Sequence, residues 1–193
     1  MALPEPTEIE RPIARVTIVA GGTGEWRVRK MRPIRGEPLA DAQAVSRIEG
    51  RSFVSAEPSK WVLRGVRSHE RYLERAEKEE LVSVQEDLGR QTSRLAVLIP
   101  IRKADAWWEL PQDERRAIFE ARSHHIEIGS KYLPAIARRL YHSRDLGEPF
   151  DFLTWFELSE ADEAAFDELV ARLRETEEWR YVEREVEIRL GRA

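Results

Sequence analysis

Apolar and polar residues alternate with a period of two along several stretches of this chain and recur near 3.6 along others, which divides it into strands and helices. "ARVTIVAGG" reads as a strand, and "EWRVRKM" alternates again with Trp26 and Val28 on one face. The link between them, "AGGTG", resembles a phosphate loop, but such a loop opens a helix and an alternating segment follows here. A hairpin turn is therefore expected. Residues 35–59 carry few signals and are expected to be irregular, and "WVLRGVRS" (61–68) is the next strand candidate. "RYLERAEKEELVSVQEDLGR" sets Leu73, Ala76, Leu81, Val84 and Leu88 near helical spacing and stops at Gly89.

The second half has the stronger pattern. In "RLAVLIPIRK", Leu95, Val97, Ile99 and Ile101 share one face, with Lys103 in register at its end. "LPQDERRAIFEARSHH" starts a helix near Pro111, and Gly129 and Pro134 then punctuate the chain, with Pro134 suited to the first turn of a second helical piece. "FDFLTWFEL" is apolar on both faces, as a strand covered on both sides must be. Ser159, with Asp162 three residues on, can cap a helix whose buried stripe is Phe166, Leu169, Val170 and Leu173. "YVEREVEIRL" is a last strand with Val182, Val186, Ile188 and Leu190 expected on one face. Strands and helices are interspersed, which favours an α+β sheet with helices on one face.

Composition narrows the function classes. The chain has 193 residues, 41% hydrophobic and 35% charged, which suits one ordinary globular domain or two small ones sharing an interface. With 32 basic and 36 acidic residues the net charge is −4, so there is no basic footprint for nucleic acid. "MALPEPTEIERP" has acidic residues and prolines where a signal peptide has a basic region and an apolar run, and no apolar run approaches the ~20 residues that cross a bilayer. A cytoplasmic protein without a membrane partner is expected. There is no cysteine, which removes disulfides, thiolate nucleophiles, iron–sulfur clusters and cysteine zinc sites, and only two Met are present. So little sulfur suits an enzyme that handles a strong oxidant, although on this fact alone chance in a reduced cytoplasm is the better explanation.

Two of the four histidines, His124 and His125, are adjacent. Neighbours on a helix point about 100° apart, so only one of them can address a given metal; the alternative is that neither is a ligand. Arg138 follows 13 residues after His125, roughly 20 Å along an unbroken helix. The Gly129/Pro134 punctuation allows a turn between them; the ordinary reading of "ARR" is a solvated basic pair near a helix C-terminus. Lys103 and the following Trp107 suit a flat anionic ligand, the ring packing and the ammonium pairing with carboxylates, and Trp107 suits a core equally well. Glu177 and Glu178 in "TEEW" end a helix, where carboxylates oppose the dipole unless a partner such as an imidazole N–H serves one of them.

"LIPIRKADAWWELPQDERRAIFEARSHHIEIGSKYLPAIARRLYHSRDLGEPFDFLTWFE" and "TEEWRYVEREVEIRL" resemble chlorite dismutase in its short, signal-less form, and "RGVRSHERYLERAEKEELVSVQ" extends the resemblance upstream. It covers residues 60–191 well and the first 60 loosely. What it implies is a haem b enzyme of the superfamily that also holds dye-decolourising peroxidases and coproheme decarboxylases. The implied fold is an α+β ferredoxin-like repeat of the dimeric α/β-barrel type, with antiparallel sheets, helices on the outer face and an abbreviated N-terminal copy. The implied divisions are an arm at 1–14, an N-terminal half at 15–103 and a haem-binding C-terminal half at 104–193. The implied partner is a second copy in a homodimer, and the implied reaction turns chlorite into chloride and dioxygen.

Position by position, the resemblance makes His125 the iron ligand, Arg138 the catalytic residue on the opposite face and Glu178 the acceptor for the His125 ring. It sets Gln85 beside Arg138, and Lys103 and Trp107 at the haem propionates with Tyr72 nearby. Without a CxxCH motif the haem would be held non-covalently. The chemistry suits these types: a neutral imidazole backed by a carboxylate raises the basicity of an iron ligand and stabilises ferryl iron. A guanidinium that stays charged at every working pH holds hypochlorite until the O–O bond forms. The alternatives are a coproheme decarboxylase of haem biosynthesis, which lacks the distal arginine, and a non-enzymatic haem-binding protein.

Overall fold

A computed structural model of the chain describes residues 14–55, 58–67 and 74–193. Eight strands, β1 (Arg15–Gly21), β2 (Trp26–Arg35), β3 (Ala44–Gly50), β4 (Trp61–Val66), β5 (Leu95–Lys103), β6 (Ala137–His142), β7 (Phe152–Leu158) and β8 (Val182–Arg192), close an antiparallel barrel. Around the ring the order is β4-β1-β3-β2 and then β8-β5-β7-β6. Each set of four therefore repeats one order: fourth, first, third, second. The barrel closes where β2 runs along β8 and where Val66 of β4 meets His142 of β6.

The helices are α1 (Arg75–Val84), α2 (Asp105–Glu109), α3 (Gln112–Arg116), α4 (His125–Ser130) and α5 (Glu163–Arg174), with a π-helical stretch over Ala117–Arg122. α2 to α4 link β5 to β6, and α5 links β7 to β8. The matching links of the first set, 22–25 and 51–60, carry no helix among the described residues.

Alternation along the strands builds two cores. Val16, Ile18, Ala96, Leu98, Leu153, Trp155, Val186, Ile188 and Leu190 belong to the cluster inside the barrel. The opposite face of β5 and β7, with Leu95, Val97, Ile99, Ile101, Phe156 and Leu158, packs against Phe166, Leu169, Val170 and Leu173 of α5 and Ile128 of α4. β7 is thus covered on both faces, as its composition requires, and a cavity opens inside this second, outer layer.

Several expectations are corrected. β1 and β2 do not form a hairpin, because β3 lies between them and pairs with β1 over its whole length. Gly24 of the link serves a close approach: a Cβ there would stand 2.8 Å from the Val45 backbone. β3 occupies part of the stretch expected to be irregular. Arg138 lies on a strand rather than a helix: turn geometry runs to Ala135, and β6 pairs with β7 from Ala137↔Glu157 to His142↔Phe152. An edge of the apolar strand β7 needed a partner, and that demand outweighs Pro134 as a helix start. Val182 lies in the outer core and not with Val186, because β8 has a register shift where Arg102 pairs with Arg184 and Lys103 with Val182. A 3₁₀ turn precedes α5, so Ser159 bonds the Asp162 side chain at 2.6 Å and caps no backbone N–H. The helix expected over 71–88 is shorter, and Val84 at its end is exposed. Tyr72 and Leu73 lie outside the described residues, as do the side chains of Ala76 and Leu81.

Candidate functional site

A cavity of about 460 Å³ lies between the helical layer and the outward face of β5, β6 and β7. This is within the roughly 300–1,000 Å³ of small-molecule and cofactor sites. His125, Arg138, Gln85, Lys103, Trp107 and Glu178 all line it. The residues singled out from the sequence therefore converge on one space, apart from Tyr72, which is outside the described residues.

His125 enters from the helical side. Ser123 ends the π-helical stretch, and His124 adopts a left-handed conformation (φ 52°) that breaks the helix before α4 begins. The two imidazoles diverge because of this break. His124 points outward to an exposed pair with Glu127 at 3.3 Å, while His125 turns inward, stacked on Phe119 with centroids 4.3 Å apart.

Behind His125 stands a buried carboxylate. Glu178 is 5% exposed at the start of a short 3₁₀ turn after α5. Burial would raise its pKa, but the Lys103 ammonium, the His125 ring and the bonds from both overcome this and hold it at about 2. An ionised carboxylate only accepts, so His125 Nδ1–H donates to Glu178 Oε2 at 2.6 Å. Lys103 Nζ donates to Oε1 at 2.7 Å and to the Glu178 carbonyl at 3.3 Å. The Glu178 backbone N–H donates to Ser123 Oγ at 2.9 Å. The Lys103 ammonium also lies 4.7 Å from the Trp107 ring centroid and 5.5 Å from that of Trp179. With Nδ1 bound as a donor, the neutral ring keeps its lone pair on Nε2, the arrangement of a metal-ligating imidazole with a carboxylate behind it.

Arg138 enters from the sheet. Antiparallel partners point to the same side, so Arg138↔Phe156, Leu140↔Thr154 and His142↔Phe152 set those β6 side chains on the cavity face. Tyr141 points the other way and belongs to the barrel core. Its hydroxyl donates to Glu49 and accepts from Arg47, and burial raises its pKa. Gln85 Nε2 donates to the Arg138 carbonyl at 2.7 Å and so holds this residue at its main chain.

Sequence reasoning missed Ser123 and Phe119, although both lie within "AIFEARSHH"; nothing in spacing points from Ser123 to a backbone N–H 55 residues later. It missed His142, which lines the cavity four residues beyond Arg138 and was legible only once β6 was known to be a strand. It also missed Asp151, which accepts from the Lys103 N–H at 2.7 Å and from Trp108 Nε1 at 3.2 Å and so fixes the end of β5 that carries Lys103.

The residues present suit a haem. One imidazole offers Nε2 to a cavity whose lining includes Ile99, Phe119, Leu133, Phe156 and Leu169. Among the described residues no group of three or more His, Asp or Glu can hold a metal ion by itself.

The chlorite dismutase of Ideonella dechloratans is 34% identical over 88 residues, a stretch that spans 46% of this chain and 29% of that protein. A crystal structure of dimeric chlorite dismutase from Nitrobacter winogradskyi superposes with a TM-score of 0.86 at 54% identity, covering 92% of this chain and 99% of that one. A chlorite dismutase variant from Candidatus Nitrospira defluvii shares the fold, with a TM-score of 0.68 at 22% identity over 93% of this chain and 91% of its own. The sequence profile of the chlorite dismutase family matches residues 36–193, and the chain belongs to that family.

Proposed function

We propose that this protein is a haem b enzyme that converts chlorite to chloride and dioxygen, with His125 as the iron ligand and Arg138 as the catalytic cation. The observation that carries the reading is one cavity with the Glu178-backed His125 in its helical wall and Arg138 in its sheet wall. The 54% identity to a dimeric chlorite dismutase supports it, and supports a homodimer here as well.

Bound haem supplies a redox-active iron that can take an oxygen atom from an oxyanion. The protein's part is as follows. Glu178 keeps the proton on His125 Nδ1, fixes the ring and increases the donor strength of Nε2. Lys103 keeps Glu178 ionised; two of its three N–H donors are directed at Glu178, and the third is available for a propionate, with Trp107 packing beside it. Arg138 binds chlorite and retains the anionic fragments that the reaction would otherwise release. A permanent charge is required because substrate and product are both anions, and the apolar lining strengthens the attraction. No proton has to be moved, since ClO₂⁻ and Cl⁻ plus O₂ balance without one. Arg138 in the cavity wall favours this reading over a coproheme decarboxylase or a haem carrier, neither of which needs it.

The equal strand orders of the two sets support a ferredoxin-like repeat whose N-terminal copy has lost both crossover helices. β5 pairs on both edges with strands of the second set, which supports a division between the copies within 67–94 rather than after Lys103. A cytoplasmic location goes with the reading. The test is to load the protein with haem, confirm a Soret band and follow dioxygen release from chlorite in wild type and Arg138→Ala. A coloured protein that releases no dioxygen would refute it.

A further inference from the structure

We propose that Arg90 is a positioning residue for Arg138: its guanidinium clamps the turn from which β6 starts and so sets where the catalytic cation enters the cavity. The proposal rests on the role of Arg138 given above. Arg90 Nη1 donates to the Pro134 carbonyl at 2.9 Å, and Nη2 donates to the Ala135 carbonyl at 2.7 Å and, more weakly, to the Glu157 carbonyl at 3.4 Å. Glu86 pairs with Nη1 at 2.9 Å and holds the guanidinium on its own segment.

Position in the ladder explains why this matters. The β6–β7 pairing starts at Ala137↔Glu157, so Pro134 and Ala135 precede it and have no strand partner for their carbonyls. Arg90 supplies that partner and, through Glu157, ties the turn to the strand against which β6 must register. Two neighbouring bonds reinforce the hold: Gly89 N–H donates to Glu157 Oε2 at 2.6 Å, and Arg139 pairs with Asp87 at 2.8 Å. With Gln85 on the Arg138 carbonyl, the segment 85–90 grips the main chain at Pro134, Ala135 and Arg138 and the side chain of Arg139 just beyond the catalytic residue. Arg suits this place because one planar fork reaches two carbonyls at once; Lys offers a point charge on a flexible stem and would reach only one well. The whole hold lies on the sheet side, remote in bonding from His125, Glu178 and Lys103.

The test uses the haem-loaded ferric protein and fluoride, a small anion whose binding is read from the absorption spectrum without turnover. Arg90→Gln should keep full haem content while raising the fluoride Kd roughly tenfold, the effect of losing hydrogen bonds to a charged group. Arg90→Lys, which keeps the charge but only one donor nitrogen, should give a smaller rise and covers the case in which the Gln variant does not fold. The decisive background is Arg138→Ala: a residue acting through Arg138 has nothing left to position there, so Arg90→Gln should cause no further change. Wild-type fluoride affinity in the Arg90 variants, or the same fold-change with and without Arg138, would overturn the proposal and leave the role of Arg138 intact. A fluoride Kd unmoved by Arg138→Ala itself would end both.

Discussion

On the helical side of the cavity His125 is held through its side chain, by a carboxylate that Lys103 grips at 2.7 Å and Ser123 anchors through the backbone. On the sheet side the main chain at and before Arg138 is held as well, through the Gln85 amide at its own carbonyl and the Arg90 fork at the turn before it. The difference follows from what each group has to do. A metal ligand needs its electronic character set, and only a partner on the ring can do that. A cation that meets an exchanging anion has its useful charge at the far end, so support belongs at the near end. The two holds also differ in cost: Lys103 and Glu178 are charges with side chains 4% and 6% exposed, a pair that a well-packed apolar pair would replace at little loss of stability. Their pairing directly behind the ring fits a role in tuning His125.

Predictions sharpen that contrast. The largest effect is expected from His125→Ala, which removes the proposed iron ligand: haem loading followed by gel filtration should leave the variant colourless. Next is Lys103→Met, which leaves Glu178 buried with one partner fewer. Breaking a buried pair in this way costs about 3–5 kcal/mol, read as a lower denaturant midpoint with an unchanged slope. Arg138→Ala should keep the Soret band while turnover falls roughly 100-fold, as when a preorganised transition-state donor is removed, and a chlorination probe should trap more hypochlorite. An unchanged hypochlorite yield would contradict the anion-holding role.

Acid sensitivity gives a smaller and more specific signal. The Glu178 pKa is about 2 in the folded protein against an ordinary 4.5, so its stabilising contribution is complete above 4.5 and is lost as pH falls toward 2. That contribution is roughly 3 kcal/mol at neutral pH. Glu178→Gln should flatten stability against pH over this window and leave the neutral region parallel to wild type. In the haem-loaded protein the same variant should raise the iron reduction potential, because a neutral amide withdraws less proton density from His125. A wild-type potential would sever the link between the carboxylate and the ligand.

How much of this the sequence revealed depends on where each feature keeps its information. β5 and β7 were legible because "LAVLIPIRK" and "FDFLTWFEL" carry their burial in their own composition. β3 was not: "AVSRIEG" is a strand because β1 offers seven partners, a property of another segment. β6 was misread because Pro134 is a local signal and the open edge of β7 is a distant one. Val182 was placed on the wrong face because a register shift leaves no trace in hydrophobicity. At the site, His125 and Glu178 lie 53 residues apart and were brought together only by likeness to a family. Arg90, whose bonds go to carbonyls that every residue possesses, had no side-chain signal to offer.

In the proposed enzyme one cavity joins a carboxylate-backed imidazole to a fixed cation for work on an oxyanion. The most direct measurement is an oxygen electrode trace of the haem-loaded wild-type protein given chlorite. One dioxygen should appear for each chlorite consumed, with chloride as the only chlorine product. Chlorite left intact, or consumed without dioxygen by a protein with a normal Soret band, would contradict the account.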